Sequence, residues 1–241
     1  MGLSFRGETM RTIPKSGEPT QVSRVVLAPH ADDEVLGCGG LLAKYPEECA
    51  VVVLAKPDDV RAKELERARD LLAYRQIILL DLPDGAVGDN MRELVGQIDW
   101  VLNQCRPQEL YLPYPSVHQD HVATYEAGMR SARLSMNSTH WFPPTVMVYD
   151  VAAYDVELYP TDLRWNVFES LDEQDVDKKV EAVAAYASQQ VEGPHPLNGI
   201  KESAQALGAA RQVDWAEHYA LVRAVRASRG ASAARQASST V

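Results

Sequence analysis

The chain has 241 residues, of which 46% are apolar and 24% charged, and its formal net charge is −10. This size and composition suit one globular domain with a substantial core and exclude a collagenous, coiled-coil or wholly disordered protein. The acidity argues against general binding to nucleic acid or anionic lipid, because phosphate recognition needs a positive face. Three cysteines, Cys38, Cys49 and Cys105, form no CxxC pair. A sparse, odd set is not a disulfide framework and fits a reducing compartment. No apolar run approaches the roughly 20 residues that cross a bilayer, and the first residues lack the apolar stretch of a signal peptide. The expected location is cytoplasmic.

In chain order, residues 1–20 are polar and punctuated by Gly2, Gly7, Pro14, Gly17 and Pro19, which predicts a flexible arm. Residues 24–28 read as a short buried strand, and a helix follows over about 34–45. A second buried strand covers 49–55. A charged helix with an apolar stripe of Leu65, Ala68, Leu71 and Leu72 covers 60–73. Residues 77–80 form a third strand, followed by the turn signal Pro83-Asp84-Gly85. A helix is predicted over 90–105, a strand over 110–112, a helix over 121–134 and a strand over 145–149. Beyond Asp150 the pattern loosens: a strand near Val167 and Phe168, then helices over about 173–190 and 201–227. Residues 227–241 are rich in Ser, Ala and Arg and are predicted to be a disordered tail.

Strands that are continuous apolar runs, alternating with helices, imply an α/β fold. The expected architecture is a Rossmann-like three-layer sandwich, with a mostly parallel central sheet and helices on both faces. In such sheets ligands sit beyond the carboxyl ends of the strands.

Two loops at those ends carry the chemistry. The first reads Pro29-His30-Ala31-Asp32-Asp33-Glu34 and follows the first strand. The second ends His118-Gln119-Asp120-His121 and follows the fourth. Imidazole and carboxylate are ligands suited to zinc, and a catalytic zinc takes three protein ligands and keeps one open position. His30, Asp33 and His121 supply such a set, which would also suit Fe(II). Asp32, beside a ligand, is placed to act as general base toward water. His118, if protonated, could serve the oxyanion, with Asp120 holding that imidazole and favouring its charge. Glu34 could support a ligand histidine from behind. The competing reading is that Asp32 or Asp33 caps the following helix. The run Gly37-Cys38-Gly39-Gly40 lacks the spacing of a phosphate cradle and is better read as close packing of helix on sheet.

These residues resemble the PIG-L/LmbE-like zinc-dependent N-deacetylases. The family's first motif, (A/P)-H-(P/A)-D-D-E, corresponds to residues 29–34, and its H-x-D-H motif to residues 118–121. Weaker similarities are Arg61 with Glu64, the Pro83-Asp84-Gly85 turn, Lys179 followed by Ser188-Gln189, and Ala216-Glu217-His218-Tyr219. The resemblance implies a single deacetylase domain over 21–226. It implies His30, Asp33 and His121 as metal ligands, Asp32 as base, His118 near the oxyanion and Asp120 tuning it. Arg61 and Asp84 would contact substrate. The alternatives are an i,i+3 pair of Arg61 with Glu64 and an ordinary turn role for Asp84. The implied partner is a small-molecule N-acetylated sugar or glycoconjugate, with no nucleic acid and no stable membrane insertion; a homo-oligomer stays open.

The loop after the second strand, Ala55-Lys56-Pro57-Asp58-Asp59, lacks the Thr, Ser and Gly of many relatives. Asp58-Asp59 there reads as helix capping. His195 could line the pocket mouth, His140 and Trp141 a substrate-facing loop. His218, on a predicted helix, reads as structural, and Trp165, Trp215 and Tyr219 as core or interface. Two rivals to the leading reading are hydrolysis of another amide on the same fold and a non-catalytic sugar- or nucleotide-binding module.

Overall fold

The structure, a computed structural model, describes residues 11–14, 19–151, 161–190, 192 and 196–226. Eight strands form one sheet in the order β1-β4-β3-β2-β5-β6-β8-β7. The strands are β1 (Arg11–Pro14), β2 (Arg24–Ala28), β3 (Cys49–Ala55), β4 (Gln76–Leu82), β5 (Glu109–Pro113), β6 (Thr145–Tyr149), β7 (Trp165–Leu171) and β8 (Trp215–Ala224). The helices are α1 (Asp33–Lys44), α2 (Asp59–Leu72), α3 (Met91–Cys105), α4 (Gln119–Ser131), α5 (Glu173–Ala185) and α6 (Ile200–Ala209).

The five strands read as continuous apolar runs are the parallel heart of the sheet, β4-β3-β2-β5-β6. Every residue of β3 is buried. Alternate side chains go to opposite layers, as the period of two requires. Val26, Val51, Val53, Ile77 and Tyr149 pack with α1, α2 and α5. Val25, Leu27, Val52, Ile78 and Leu110 pack with Leu94, Ile98 and Leu102 of α3 and Ala127 of α4. Each such aliphatic side chain taken from water contributes about 1.5–3 kcal/mol, and the two layers give the three-layer sandwich.

Three outer pairings are antiparallel: β1 with β4, β6 with β8, and β7 with β8. Two expectations change here. Residues 11–14 of the expected flexible arm are an edge strand, paired from Arg11↔Leu79 to Pro14↔Gln76. The helix predicted over 201–227 is instead α6 followed by the long strand β8. Its Ala-rich sequence favours helix locally, but the open edge of β6 offers a ladder partner, and such pairing overrides propensity. The reversal is tight: a Cβ on Gly208 would lie 2.7 Å from the main chain of Asp214 and Trp215. Residues 1–10 and 15–18 of the arm, the expected tail over 227–241 and His195 lie outside the described residues. Among the described residues, no helix is long and apolar enough to cross a membrane.

The strand order reverses at β2: β3 and β4 lie to one side of it, β5 and β6 to the other. The chains leaving β2 and β5 therefore diverge at their carboxyl ends and open a crevice. Both motif loops leave the sheet at this point.

Candidate active site

The loop after β2 is pinned to its neighbour by the bond from the Ala55 amide to the Pro29 carbonyl, 2.9 Å. His30 is thereby held at the crevice floor, and α1 starts at Asp33. The Asp33 carboxylate turns back: its Oδ2 accepts the His30 main-chain N–H at 2.9 Å. The same oxygen lies 3.3 Å from His30 Nδ1 and 3.3 Å from His121 Nε2. His121 comes from the first turn of α4 and is fully buried. Tetrahedral zinc with bonds near 2.0–2.1 Å separates neighbouring ligand atoms by about 3.3 Å. The two spacings to Asp33 match that separation, and two imidazoles with one carboxylate are donors of the kind that suit zinc or Fe(II). His30, His118 and His121 also bring ring nitrogens within 4.8 Å of one another.

Asp32 does not cap α1 with its side chain. Its backbone has φ 134° and ψ −28°, a left-handed region disfavoured for a residue with a Cβ. Such strain costs on the order of 1–3 kcal/mol and persists where surroundings over-determine it. Here the Asp32 N–H donates to Glu34 Oε2 at 3.0 Å, and Arg61 Nη2 lies 3.6 Å from Asp32 Oδ2. Arg61 also donates to the Ala31 carbonyl at 3.4 Å. Arg61 is therefore turned to the Asp32 loop and away from the i,i+3 pair with Glu64. Glu64 accepts instead from the main chain and hydroxyl of Ser188. Asp58 does cap α2, accepting from the Val60 and Arg61 amides.

Two expected partnerships differ. Glu34 is fully buried and accepts from the Tyr186 hydroxyl as well as from the Asp32 amide, rather than supporting an imidazole. Nothing in the local sequence marks Tyr186, which arrives from the far end of α5. The Asp120 carboxylate is bonded to the loop after β4 and reaches His118 through its field. It accepts from Gly85 N–H (2.8 Å) and Val87 N–H (3.1 Å), and its Oδ2 lies 3.1 Å from His30 Nε2. Its main-chain N–H donates to His118 Nδ1 at 3.2 Å and so caps α4. This leaves the proton of the neutral His118 ring on Nε2. Asp84, at the rim with its side chain 74% exposed, lies 3.3 Å from His30 Nε2.

Without a cation, the crowded charges push the titrating groups apart. Burial would raise Asp33, yet the His121 and His30 imidazoles hold it well below the usual carboxylate range. Burial and the field of Asp33 hold Asp32 well above that range, against the pull of Arg61. Burial raises Glu34 to about 7. Burial would lower His30, but the bond and field of Asp33, then Asp120 and Asp84, raise it to about 9. His118 is lowered by burial and by the other two imidazoles, which together outweigh the field of Asp120 that favours its charged form. Adjacent carboxylates, Asp32 and Asp33, are thus driven in opposite directions by one environment.

The remaining aromatic and histidine expectations fall elsewhere. Trp141 Nε1 donates to the Pro107 carbonyl, and His140 Nδ1 lies 3.9 Å from Asp99, at the amino ends of the strands. That loop is on the opposite edge from the crevice and does not face substrate there. His218 lies in β8, not on a helix, and its ring stacks on Trp165 with centroids 4.6 Å apart. Tyr219 is buried in the core.

The chain is similar in sequence and fold to known proteins. The chain is 24% identical over 179 residues to the uncharacterized deacetylase YaiS of Escherichia coli (strain K12), covering 68% of this chain and 90% of that one. It superposes on the conserved protein TT1542 from Thermus thermophilus with TM-score 0.70 at 22% identity, over 87% of this chain and 99% of the other. The N,N'-diacetylchitobiose deacetylase from Pyrococcus horikoshii superposes with TM-score 0.63 at 19% identity, over 83% and 84% of the two chains. These structures share the fold. Residues 25–132, which hold all the crevice histidines and carboxylates named above, match the family model described as PIG-L, GlcNAc-PI de-N-acetylase.

Proposed function

We propose that this protein is a metal-dependent N-deacetylase that hydrolyses the acetyl amide of an amino-sugar-containing small molecule. The observation that carries the reading is the position of Asp33 Oδ2, 3.3 Å from both His30 Nδ1 and His121 Nε2, with Asp32 next in the chain. The family match and the deacetylase names of YaiS and the Pyrococcus horikoshii protein support the activity. The name of the latter, a chitobiose derivative, supports an acetylated sugar as substrate.

His30, Asp33 and His121 would hold the cation, with zinc the first choice and Fe(II) the second. A bound cation supplies Lewis acidity, making water more acidic and the acyl carbonyl more electrophilic. Asp32 takes the proton from the attacking water and later delivers it to the departing nitrogen. Water's oxygen thus joins the acyl carbon, the C–N bond breaks, and acetate and a free amine leave. Arg61 steers the Asp32 carboxylate. His118 presents its Nε2–H to the carbonyl oxygen as negative charge develops there. Asp84, at the rim, accepts from a substrate hydroxyl.

The test is release of free amine from a panel of N-acetylated sugars, read as loss of an acetyl mass. Turnover should vanish on chelation and return with zinc or, without air, with Fe(II). Turnover that survives complete chelation would overturn the metal assignment. A cation-loaded protein that binds the sugars without releasing amine would favour a binding module.

A further inference from the structure

We propose that Asp120 is a positioning residue for His30, holding that ring by Nε2 so that Nδ1 faces the cation, and tying the loop after β4 to the metal centre; this rests on the metal reading above. The Asp120 carboxylate is 1% exposed and is met by three nitrogen donors. Oδ2 accepts the Gly85 N–H at 2.8 Å and lies 3.1 Å from His30 Nε2, while Oδ1 accepts the Val87 N–H at 3.1 Å. Two main-chain amides thus fix the carboxylate in place before it meets the imidazole. A neutral ring that donates its Nε2–H to Asp120 keeps its lone pair on Nδ1. That atom is the one 3.3 Å from Asp33 Oδ2. A carboxylate behind a metal-bound histidine sets tautomer and ring orientation in this way.

Asp84 Oδ1 is also 3.3 Å from Nε2, but its side chain is 74% exposed, so water competes for it. Asp120 is shielded and doubly anchored, and its hold is the stronger. Asparagine is no substitute, because its NH2 would face one of the three donors. The arrangement also gives the Pro83-Asp84-Gly85 turn a role, since its Gly85 amide, delivered by a backbone at φ 77°, helps lock the carboxylate.

The experiment uses the full chain and the variants Asp120→Ala, Asp120→Asn, His118→Ala and Asp84→Ala. Zinc affinity is measured by competition with a chromogenic chelator. Both Asp120 variants should bind zinc about 10–100-fold more weakly, the usual loss when such a partner is removed. His118→Ala and Asp84→Ala should match the unaltered chain, with one zinc per chain. Histidine 1H–15N spectra give a second readout on metal-free protein: the His30 Hε2 signal should be protected from exchange in the unaltered chain and in His118→Ala, and lost in Asp120→Ala. Thermal melting confirms that each variant is folded; Asp120→Asn serves where Asp120→Ala is not. Unchanged zinc affinity in folded Asp120 variants, or a His30 Hε2 signal that persists in them, overturns the proposal. So do two zinc ions per chain, which would make Asp120 a ligand. If the unaltered chain takes up no divalent cation, the metal reading falls, and the Hε2 signal still decides whether Asp120 holds His30.

Discussion

Helix α1 touches two buried polar clusters, and they are built on opposite principles. Midway along it, Glu217 is enclosed by donors. Its Oε1 accepts from the Gly40 amide and Lys179 Nζ, both at 2.7 Å, and its Oε2 from the Leu41 amide at 2.8 Å and the Tyr219 hydroxyl at 2.7 Å. Both charges are buried, and one cancels the other. At the amino end of the same helix, Asp32, Asp33 and Glu34 are joined by Asp84 and Asp120. Arg61 supplies a permanent positive charge to that group, assisted by imidazoles. The first cluster is neutral and saturated by protein atoms, so it holds a shape. The second crowds carboxylates and imidazoles whose charges depend on how protons are shared among them, so it stays open to a ligand that would balance them.

The largest expected effect breaks the second cluster alone. Asp32→Ala should lower kcat by about 10²–10⁴-fold, the usual contribution of a general base, while zinc content and melting temperature hold. Relief of the positive φ is not available to alanine, so no gain in stability is expected from that change. Steady-state rates and metal analysis on one preparation check this; near-normal rates would remove Asp32 from the mechanism.

The next breaks the first cluster. Glu217→Ala leaves Lys179 buried without its partner, and loss of one member of a buried pair costs about 3–5 kcal/mol. Urea unfolding should show that loss, while the folded fraction keeps its zinc stoichiometry. A change below about 1 kcal/mol, the worth of an exposed pair, would mean the pair is far more hydrated than its burial indicates.

The smallest sharpens the contrast between a saturated cluster and mere proximity. A Cβ on Gly39 would lie 2.7 Å from Lys179 Cγ. Gly39→Ala must displace that lysine, at about 1–3 kcal/mol for overpacking. The same change on an exposed helix face would stabilise by about 1 kcal/mol. The sign of the shift in thermal melting therefore reports how rigidly Lys179 is held.

The glycine run over residues 37–40 marks where local sequence stops being informative. Close packing is legible there from the absence of phosphate-loop spacing. The identity of what packs is not: a Cβ on Gly37 would overlap the Tyr149 ring, and one on Gly40 would meet Leu171 and Glu217. Those partners lie more than a hundred residues away. The same separation stands between Glu34 and Tyr186 and hides their hydrogen bond from the sequence. Strand β8 escapes the strand pattern because its one apolar run, Tyr219 to Val222, is short and preceded by Glu217 and His218; its alternation is blurred by Ala216, Glu217 and Ala220, all buried between β6 and β7.

Residue types and their spacing were enough to pick out the parallel strands and the crevice loops with the imidazoles and carboxylates they carry. Apolar runs have few ways to leave water, and imidazoles with carboxylates at strand ends have few other uses. Which oxygen meets which nitrogen was a different matter. Asp120 sits beside His121 in the chain, yet its carboxylate belongs to Gly85, Val87 and His30. That allocation depends on where β4, β2 and α4 come to rest around one another, because a hydrogen bond is decided within tenths of an ångström and the order of residues along a chain carries no such distances.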